Sequence, residues 1–133
     1  MERIIEFLNK NKIGQFTTIK NGNIVMRLFN MIFYKLGKFY FGTGNNKDVY
    51  RQLNEDPTAS FAVVGENMQW LRLSGKIKFV DDCKLKESMF EEVPALSSVY
   101  GSAESEIFKA FYFYEGSISL HNGIGDVIEE SIF

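Results

Sequence analysis

The run Gly42-Thr43-Gly44-Asn45-Asn46-Lys47 combines residue types that can bind a phosphate group. Glycines let backbone N–H groups approach an anion, Thr43 adds a hydroxyl, the two asparagines add amides, and Lys47 adds a full positive charge. A helical pattern follows, so the run also lies at a helix N-terminus, where the helix dipole attracts anions. The spacing differs from the Gly-x4-Gly-Lys-Ser/Thr phosphate loop. The alternative is a capped turn in which Lys47 is a solvated surface residue.

Arg27 lies in the middle of an apolar segment that runs from Ile24 to Phe29. Strand alternation places Val25, Arg27 and Phe29 on one face. A charged side chain between two apolar neighbours needs solvent, a carboxylate or a ligand, so this face is a candidate binding groove. A surface arginine on an edge strand is the alternative.

Trp70 and Arg72 share a face of a second predicted strand, whose other face carries Leu71 and Leu73. A tryptophan beside an arginine can stack on a flat ligand or contribute to an interface. A cross-strand packing pair is the alternative for this motif.

The remaining reactive residues form no recognisable catalytic pattern. His121 is the only histidine and Cys83 the only cysteine, which leaves no histidine cluster, disulfide or cysteine-based metal site. We expect His121 to be structural or on the surface, and Cys83, which follows two aspartates, to be a poor nucleophile. The absence of paired side-chain catalysts favours a protein that relies on a cofactor.

Composition limits the class of protein. A length of 133 residues predicts one domain, 1–133, and a net charge of −2 argues against a nucleic-acid-binding protein. The charge is uneven, with +6 over residues 1–78 and −8 over residues 79–133. This asymmetry predicts either an anion-binding front half or attraction between the two halves.

The other compositional signals concern core and location. The 13 Phe, 6 Tyr and 1 Trp suit a sheet-rich core, a flat ligand or a subunit interface. No apolar segment approaches the ~20 residues of a membrane span. A single cysteine and the absence of a leader pattern predict a cytoplasmic protein.

Hydrophobic periodicity and turn residues predict the elements that position these motifs. Helices are expected over 2–10, over 47–54 with Asn45 or Asn46 as N-cap, from the Asp81-Asp82 cap to Glu92, and over 94–100. Strands are expected over 15–19, 24–34, 39–41, 60–64, 68–80, 107–114 and 117–120, with Gly75 as a bulge or bend and only weak signals after residue 123. The pattern predicts a mainly β (α+β) fold, a six- or seven-stranded antiparallel barrel with peripheral helices. An open α+β sheet is the alternative.

Taken in their order along the chain, the motifs resemble those of the pyridoxamine phosphate oxidase-like family of flavin-binding split barrels. The resemblance is greatest to small bacterial members related to general stress and nitroimidazole-resistance proteins. The resemblance extends from Gly14 to about His121. The residues that carry it are Tyr40 to Tyr50 with Leu53 and Pro57, Trp70 to Gly75, Asp81-Asp82, and Pro94 to Tyr100.

The resemblance implies a split β-barrel that binds flavin mononucleotide (FMN) and forms a homodimer with two flavin sites at its interface. It implies an oxidoreductase that acts on a small molecule or a nicotinamide donor, with no membrane or nucleic-acid partner. A flavin carrier or sensor without turnover, or a barrel that binds haem through His121 or binds a partner protein, are the alternatives. No catalytic side chain and no metal ligand is identified.

Matching the family's motifs assigns roles to seven residues. Arg27 corresponds to an arginine near the ribityl phosphate, Leu28 and Phe29 to backbone beside the isoalloxazine ring, and Trp70 to a residue that reaches the flavin from the partner chain. The phosphate turn corresponds to Thr43, Asn46 and Lys47. The oxidase proper has Arg-Lys at the last two of these positions and a C-terminal Trp and Arg segment that this chain lacks, so the resemblance does not extend to pyridoxamine phosphate oxidation itself.

Overall fold

A computed structural model describes residues 1–133 of the chain. It contains eight strands and four α-helices, with a short 3₁₀ turn at Glu66–Met68. The strands are β1 (Ile13–Lys20), β2 (Asn23–Asn30), β3 (Phe33–Lys35), β4 (Lys38–Gly44), β5 (Thr58–Val64), β6 (Trp70–Val80), β7 (Phe108–His121) and β8 (Val127–Ile132). The helices are α1 (Glu2–Lys10), α2 (Asp48–Glu55), α3 (Cys83–Glu92) and α4 (Ala95–Tyr100). None of them combines the length and the apolar character needed to cross a bilayer.

All eight strands belong to one antiparallel sheet, with the order β2-β1-β5-β6-β7-β4-β3 and with β8 paired to β7. The sheet curls until its ends meet through side chains. The ring of Phe29 on β2 lies 6.4 Å from that of Phe41 on β4, although four strands separate β2 from β4 in the sheet. The sheet therefore wraps around a common core without a continuous hydrogen-bonded closure, and the predicted antiparallel split-barrel class is confirmed.

Aromatic packing fills the interior of this barrel. Phe16 on β1 is inaccessible to solvent, and its ring contacts Phe29, Phe41 and Phe111 at centroid distances of 4.7, 5.3 and 5.7 Å. Burial of a phenylalanine side chain stabilises the fold by roughly 1.5–3 kcal/mol relative to exposure. Half of the 20 aromatic residues that composition singled out are buried in the two hydrophobic clusters of the core, and six more pack against these clusters.

Two predicted strands have different bounds because the chain changes pairing partners. The expected strand 24–34 stops at Asn30. The amide of Met31 donates to Lys12 O, whereas that of Ile32 donates to Tyr40 O, so the chain passes from β1 to β4 at this point. Conversely, the expected strands 107–114 and 117–120 form the single strand β7, in which Gly116 lies directly opposite Gly75.

The remaining differences lie at the glycine run and at the C-terminal end. Gly42–Gly44 continue β4 instead of forming the expected turn, and the weakly patterned tail contains β8. The sheet therefore has eight strands where six or seven were predicted. Tight turns with positive φ occur at Asn21-Gly22 and Leu36-Gly37, and a register shift at Lys76/Ile77 confirms the irregularity predicted at Gly75.

Candidate functional site

A cleft of about 450 Å³ opens between β2, the end of β4 and the start of α2. It contains side chains from four separate segments, because the curl of the sheet brings β2 close to β4. The lining residues are Val25, Met26, Arg27, Phe29, Gly42, Thr43, Lys47, Asp48, Val49, Gln52 and Tyr100. The structure thus brings together Arg27, Phe29, Thr43 and Lys47 from the residues predicted by sequence.

Arg27 is held in the cleft by a network of neutral acceptors. Its Nη1 donates to Thr18 Oγ1 at 2.9 Å and to two main-chain carbonyl oxygens, those of Phe16 and Val25, at 3.2 and 3.3 Å. Its Nη2 donates to Gln52 Oε1 at 2.6 Å. The prediction that Val25, Arg27 and Phe29 share one face of the strand is confirmed, since all three line this cleft.

The positive charge of Arg27 has no carboxylate partner. None of the chain's five ion pairs includes this residue. Burial lowers the pKa of Arg27, and the nearby carboxylate of Asp48 partly opposes that effect. Asp48 itself is paired with Arg51. A half-buried guanidinium without a paired anion is a favourable position for an anionic ligand.

The N-terminus of α2 adds unpaired backbone donors at the mouth of the cleft. Lys47 is the N-cap residue, and no side chain caps this end. The prediction of Asn45 or Asn46 as N-cap was wrong, because the amides of Asn45 instead join the turn to the segment before β7, through bonds to Ile107 O and Glu106 O. An uncapped helix start leaves N–H groups and partial positive charge free to bind an anion.

Thr43 and Tyr100 are the two hydroxyl-bearing residues that line the cleft. Thr43 is almost fully buried near the end of β4, where it pairs with Lys109 of β7. Tyr100 ends α4 and packs edge-on against Phe108 at 5.1 Å. Burial raises the pKa of Tyr100, so its phenol keeps its proton and remains a hydrogen-bond donor at neutral pH. Motif reasoning singled out neither Tyr100 nor Gln52 as a site residue.

Three of the predicted residues do not line the cleft. Asn46 is exposed in the turn before α2. The side chains of Leu28 and Trp70 lie in a separate apolar groove, here called the outer groove, which is lined by Ile13, Gly14, Gln15, Leu28, Ala62, Val63, Val64 and Trp70. Leu28 is 71% exposed there, since alternation points it away from Arg27.

The reactive residues outside the cleft have structural surroundings. His121 is buried, stacks on Trp70 at 4.2 Å, and has Ser119 Oγ and Gly125 O as partners of its two ring nitrogens. Glu87, whose carboxylate is 3.7 Å from Cys83 Sγ, raises the pKa of this thiol, with a smaller contribution from Asp82. No cluster of three His, Cys, Asp or Glu side chains is arranged to hold a metal ion.

Solved structures share this architecture over almost the whole chain. A NimC/NimA family protein from Clostridium acetobutylicum is 28% identical, with a TM-score of 0.89, and the match covers 100% of this chain and 92% of that one. General stress protein 26 from Bacillus anthracis is 14% identical, with a TM-score of 0.83 and coverage of 99% and 97%. A haem-binding protein from Mycobacterium smegmatis is 15% identical, with a TM-score of 0.76 and coverage of 95% and 55%.

Sequence comparison gives the family. No curated protein matches the chain at a significant level. The family model described as pyridoxamine 5'-phosphate oxidase matches residues 1–115, which include every strand and helix that lines the cleft. The chain therefore belongs to the pyridoxamine 5'-phosphate oxidase family.

Proposed function

We propose that this protein binds FMN in the cleft and uses it as an oxidoreductase acting on a small molecule. The observation that carries the proposal is the convergence of Arg27, Lys47, the Thr43 hydroxyl and the uncapped start of α2 on one cleft. Two cations and several neutral donors match the charge and the acceptor oxygens of a phosphate ester. The donor set therefore fits the phosphate of FMN.

In this proposal each lining residue has a binding or orienting role. Lys47 and the N–H groups of α2 hold the phosphate at the mouth, Arg27 holds it from the floor, and Thr43 donates a hydrogen bond. Phe29, which already stacks on Phe16 at 4.7 Å, provides an apolar surface for the flat ring system. When bound, FMN supplies hydride or electron transfer chemistry.

We further propose that two chains assemble into a homodimer through the outer groove. Ile13, Leu28 and Val64 are each more than 60% exposed on this face of the sheet. Exposed apolar patches of this kind usually mark interaction sites. Trp70 would then reach the flavin of the partner chain, as the resemblance implies, and the exposed side chain of Leu28 would lie in the interface. Single-domain organisation and a cytoplasmic location also remain proposals.

The alternative of haem binding through His121 is less favoured. Both ring nitrogens of His121 already have partners in the chain, and its ring stacks on Trp70 outside the cleft. An axial haem ligand needs a free imidazole nitrogen. A flavin carrier or sensor without turnover would use the same cleft residues as the oxidoreductase, so turnover must be measured directly.

Absorption spectroscopy of the purified protein tests flavin binding. We expect flavin bands in the isolated protein, or quenching of flavin fluorescence when FMN is titrated into it. Riboflavin, which lacks the phosphate, is the matched control and should bind more weakly. Equal affinity for the two, or no binding of either, would contradict the proposal. Reduction of the bound flavin by NADH or NADPH would distinguish an oxidoreductase from a carrier.

A further inference from the structure

The groups that accept hydrogen bonds from the Arg27 guanidinium are all electrically neutral. Two are main-chain carbonyls, and the other two are the Thr18 hydroxyl and the Gln52 amide oxygen. Buried arginines are ordinarily paired with a carboxylate, which cancels most of their charge. The nearest acidic candidate, Asp48, forms an ion pair with Arg51 instead. The chain therefore fixes Arg27 in place without pairing it directly with a carboxylate, although that of Asp48 lies nearby.

Thr18 and Gln52 hold each other as well as Arg27. The Thr18 hydroxyl donates to Gln52 Oε1 at 2.5 Å, and Gln52 Oε1 also accepts from Arg27 Nη2 at 2.6 Å. Their exposed fractions are 1% and 6%. Three hydrogen bonds therefore join the side chains of Arg27, Thr18 and Gln52 to one another, shielded from water. This network restricts each side chain to one conformation.

The guanidinium retains donors for a ligand. Arginine has five N–H groups, and the contacts within the chain engage Nη1 and one N–H of Nη2. The Nε–H and the second N–H of Nη2 have no partner in the chain. Arg27 and Lys47 both line the cleft in which an anion would bind.

We propose that Gln52 and Thr18 are positioning residues that orient Arg27 toward the cleft without neutralising it, so that the cleft selects a ligand carrying an anionic group. The identity of that ligand as FMN rests on the function proposed above. The positioning of Arg27 by Gln52 and Thr18 applies to any anionic group in the cleft and does not require the ligand to be FMN. A carboxylate at position 52 would keep the geometry and remove the net charge.

The test compares Gln52→Glu with wild type and with Asn54→Asp. Both substitutions change an amide into a carboxylate on α2, but Asn54 is exposed and its side chain bonds to Tyr50 O, away from Arg27. We expect Gln52→Glu to raise the Kd for FMN roughly tenfold or more, which is the scale of a lost charge-assisted contact. The Kd for riboflavin should not change in either variant, and Asn54→Asp should bind FMN as wild type does.

A second pair of variants covers the possibility that Gln52→Glu fails to fold, which circular dichroism and the melting temperature would reveal. Thr18→Val keeps the shape of the side chain but removes the hydroxyl, whereas Thr18→Ser retains it. We expect FMN affinity to fall in the first and to be preserved in the second. Equal affinity in Thr18→Val, Thr18→Ser and wild type would overturn the proposal, as would unchanged FMN affinity in Gln52→Glu.

Inorganic phosphate separates this proposal from the proposed function. A ligand that binds only the folded state raises the melting temperature, and at a given ligand concentration the rise is larger when binding is tighter. If wild type binds no flavin, the proposed function fails, but a phosphate-induced rise in melting temperature that Gln52→Glu lacks would still support the positioning role. No rise in wild type, or an equal rise in both proteins, would overturn it.

Discussion

At the scale of residues, the two cations of the cleft differ in how firmly they are held. Arg27 donates hydrogen bonds to four acceptors of the chain, which fix its position in the cleft. Lys47 is exposed at the N-cap of α2 and has no ion-pair partner. A fixed guanidinium loses little entropy on binding, while a free lysine must be ordered by the ligand. Arg27 should therefore determine orientation and Lys47 should add attraction.

Substitution of Lys47 by alanine tests the second of these roles. Loss of a charge-assisted contact costs about 1.5–3 kcal/mol, which corresponds to a roughly 10- to 150-fold increase in Kd for FMN. The exposure of Lys47 favours the lower end of that range. Fluorescence titration measures the change, and Lys84→Ala, an exposed lysine on α3, is the control. Unchanged affinity in Lys47→Ala would place the phosphate elsewhere.

The residues found from sequence were those whose types stand out in their own segment. An arginine in an apolar strand and a lysine after a glycine run are local signals, and the structure places both in the cleft. Gln52 was missed, although it shares the buried face of α2 with Val49 and Leu53. A polar residue on the apolar stripe of a helix was therefore the available signal. Its partners Thr18 and Arg27 depend on long-range packing, which local pattern does not reveal.

At the scale of elements, periodicity and cap residues located the helices well because these signals are local. The Asp82 cap of α3 is an example, since its side chain accepts from the amide of Leu85 as the sequence predicted. Strand bounds were less accurate where the chain exchanges partners, as at Met31 and Ile32. The sequence of β8 gave only a weak strand signal because it contains Glu129 and Glu130. This segment becomes a strand through its pairing with β7.

Glu129 connects β8, the strand that the sequence indicated only weakly, to helix α1. Its carboxylate accepts from the amide of Ile4 at 3.0 Å, which joins β8 to the start of α1. The Ile4 amide, with further contributions from the terminal ammonium, lowers the pKa of Glu129. Because the pKa is lower in the folded state than in the unfolded chain, this contact stabilises the fold fully above the unfolded pKa of about 4.3 and loses that effect as the pH falls through the lowered folded-state pKa.

We therefore expect Glu129→Gln to lower the free energy of unfolding at pH 7 by about 1 kcal/mol, the usual contribution of a side chain that caps a helix N-terminus. The difference from wild type should shrink as the pH falls through the lowered pKa of Glu129, because the wild-type carboxyl becomes protonated there. Urea denaturation at pH 7 and at a series of acidic pH values measures this change. Glu130→Gln, at the exposed neighbouring position, is the control. A difference that does not shrink with falling pH would show that the contact does not depend on the charge of Glu129.

At the scale of the whole molecule, the curled sheet has two faces with different roles. The concave face buries the phenylalanine core and ends in the cleft, where the charged residues lie. The outer face of β1, β2 and β5 carries exposed apolar residues, among them Ile13, Leu28 and Val64. The alternation of β2 assigns Arg27 to the first face and Leu28 to the second. Sequence predicted this alternation, but the distance between Leu28 and the cleft of its own chain depends on the curl of the sheet.

Leu28→Glu tests whether the outer groove is a dimer interface. If two copies bury this face, wild type should behave in scattering or sedimentation as about twice the 15.3 kDa chain mass, and a buried unpaired carboxylate should shift Leu28→Glu toward the monomer. Leu36→Glu makes the same substitution at an even more exposed leucine, in the β3–β4 turn outside the groove, and should remain dimeric. The monomeric variant should also bind FMN more weakly, because residues of the outer groove would no longer reach the partner's cleft. A monomeric wild type, or a dimer that Leu28→Glu leaves intact, would contradict an interface at the outer groove.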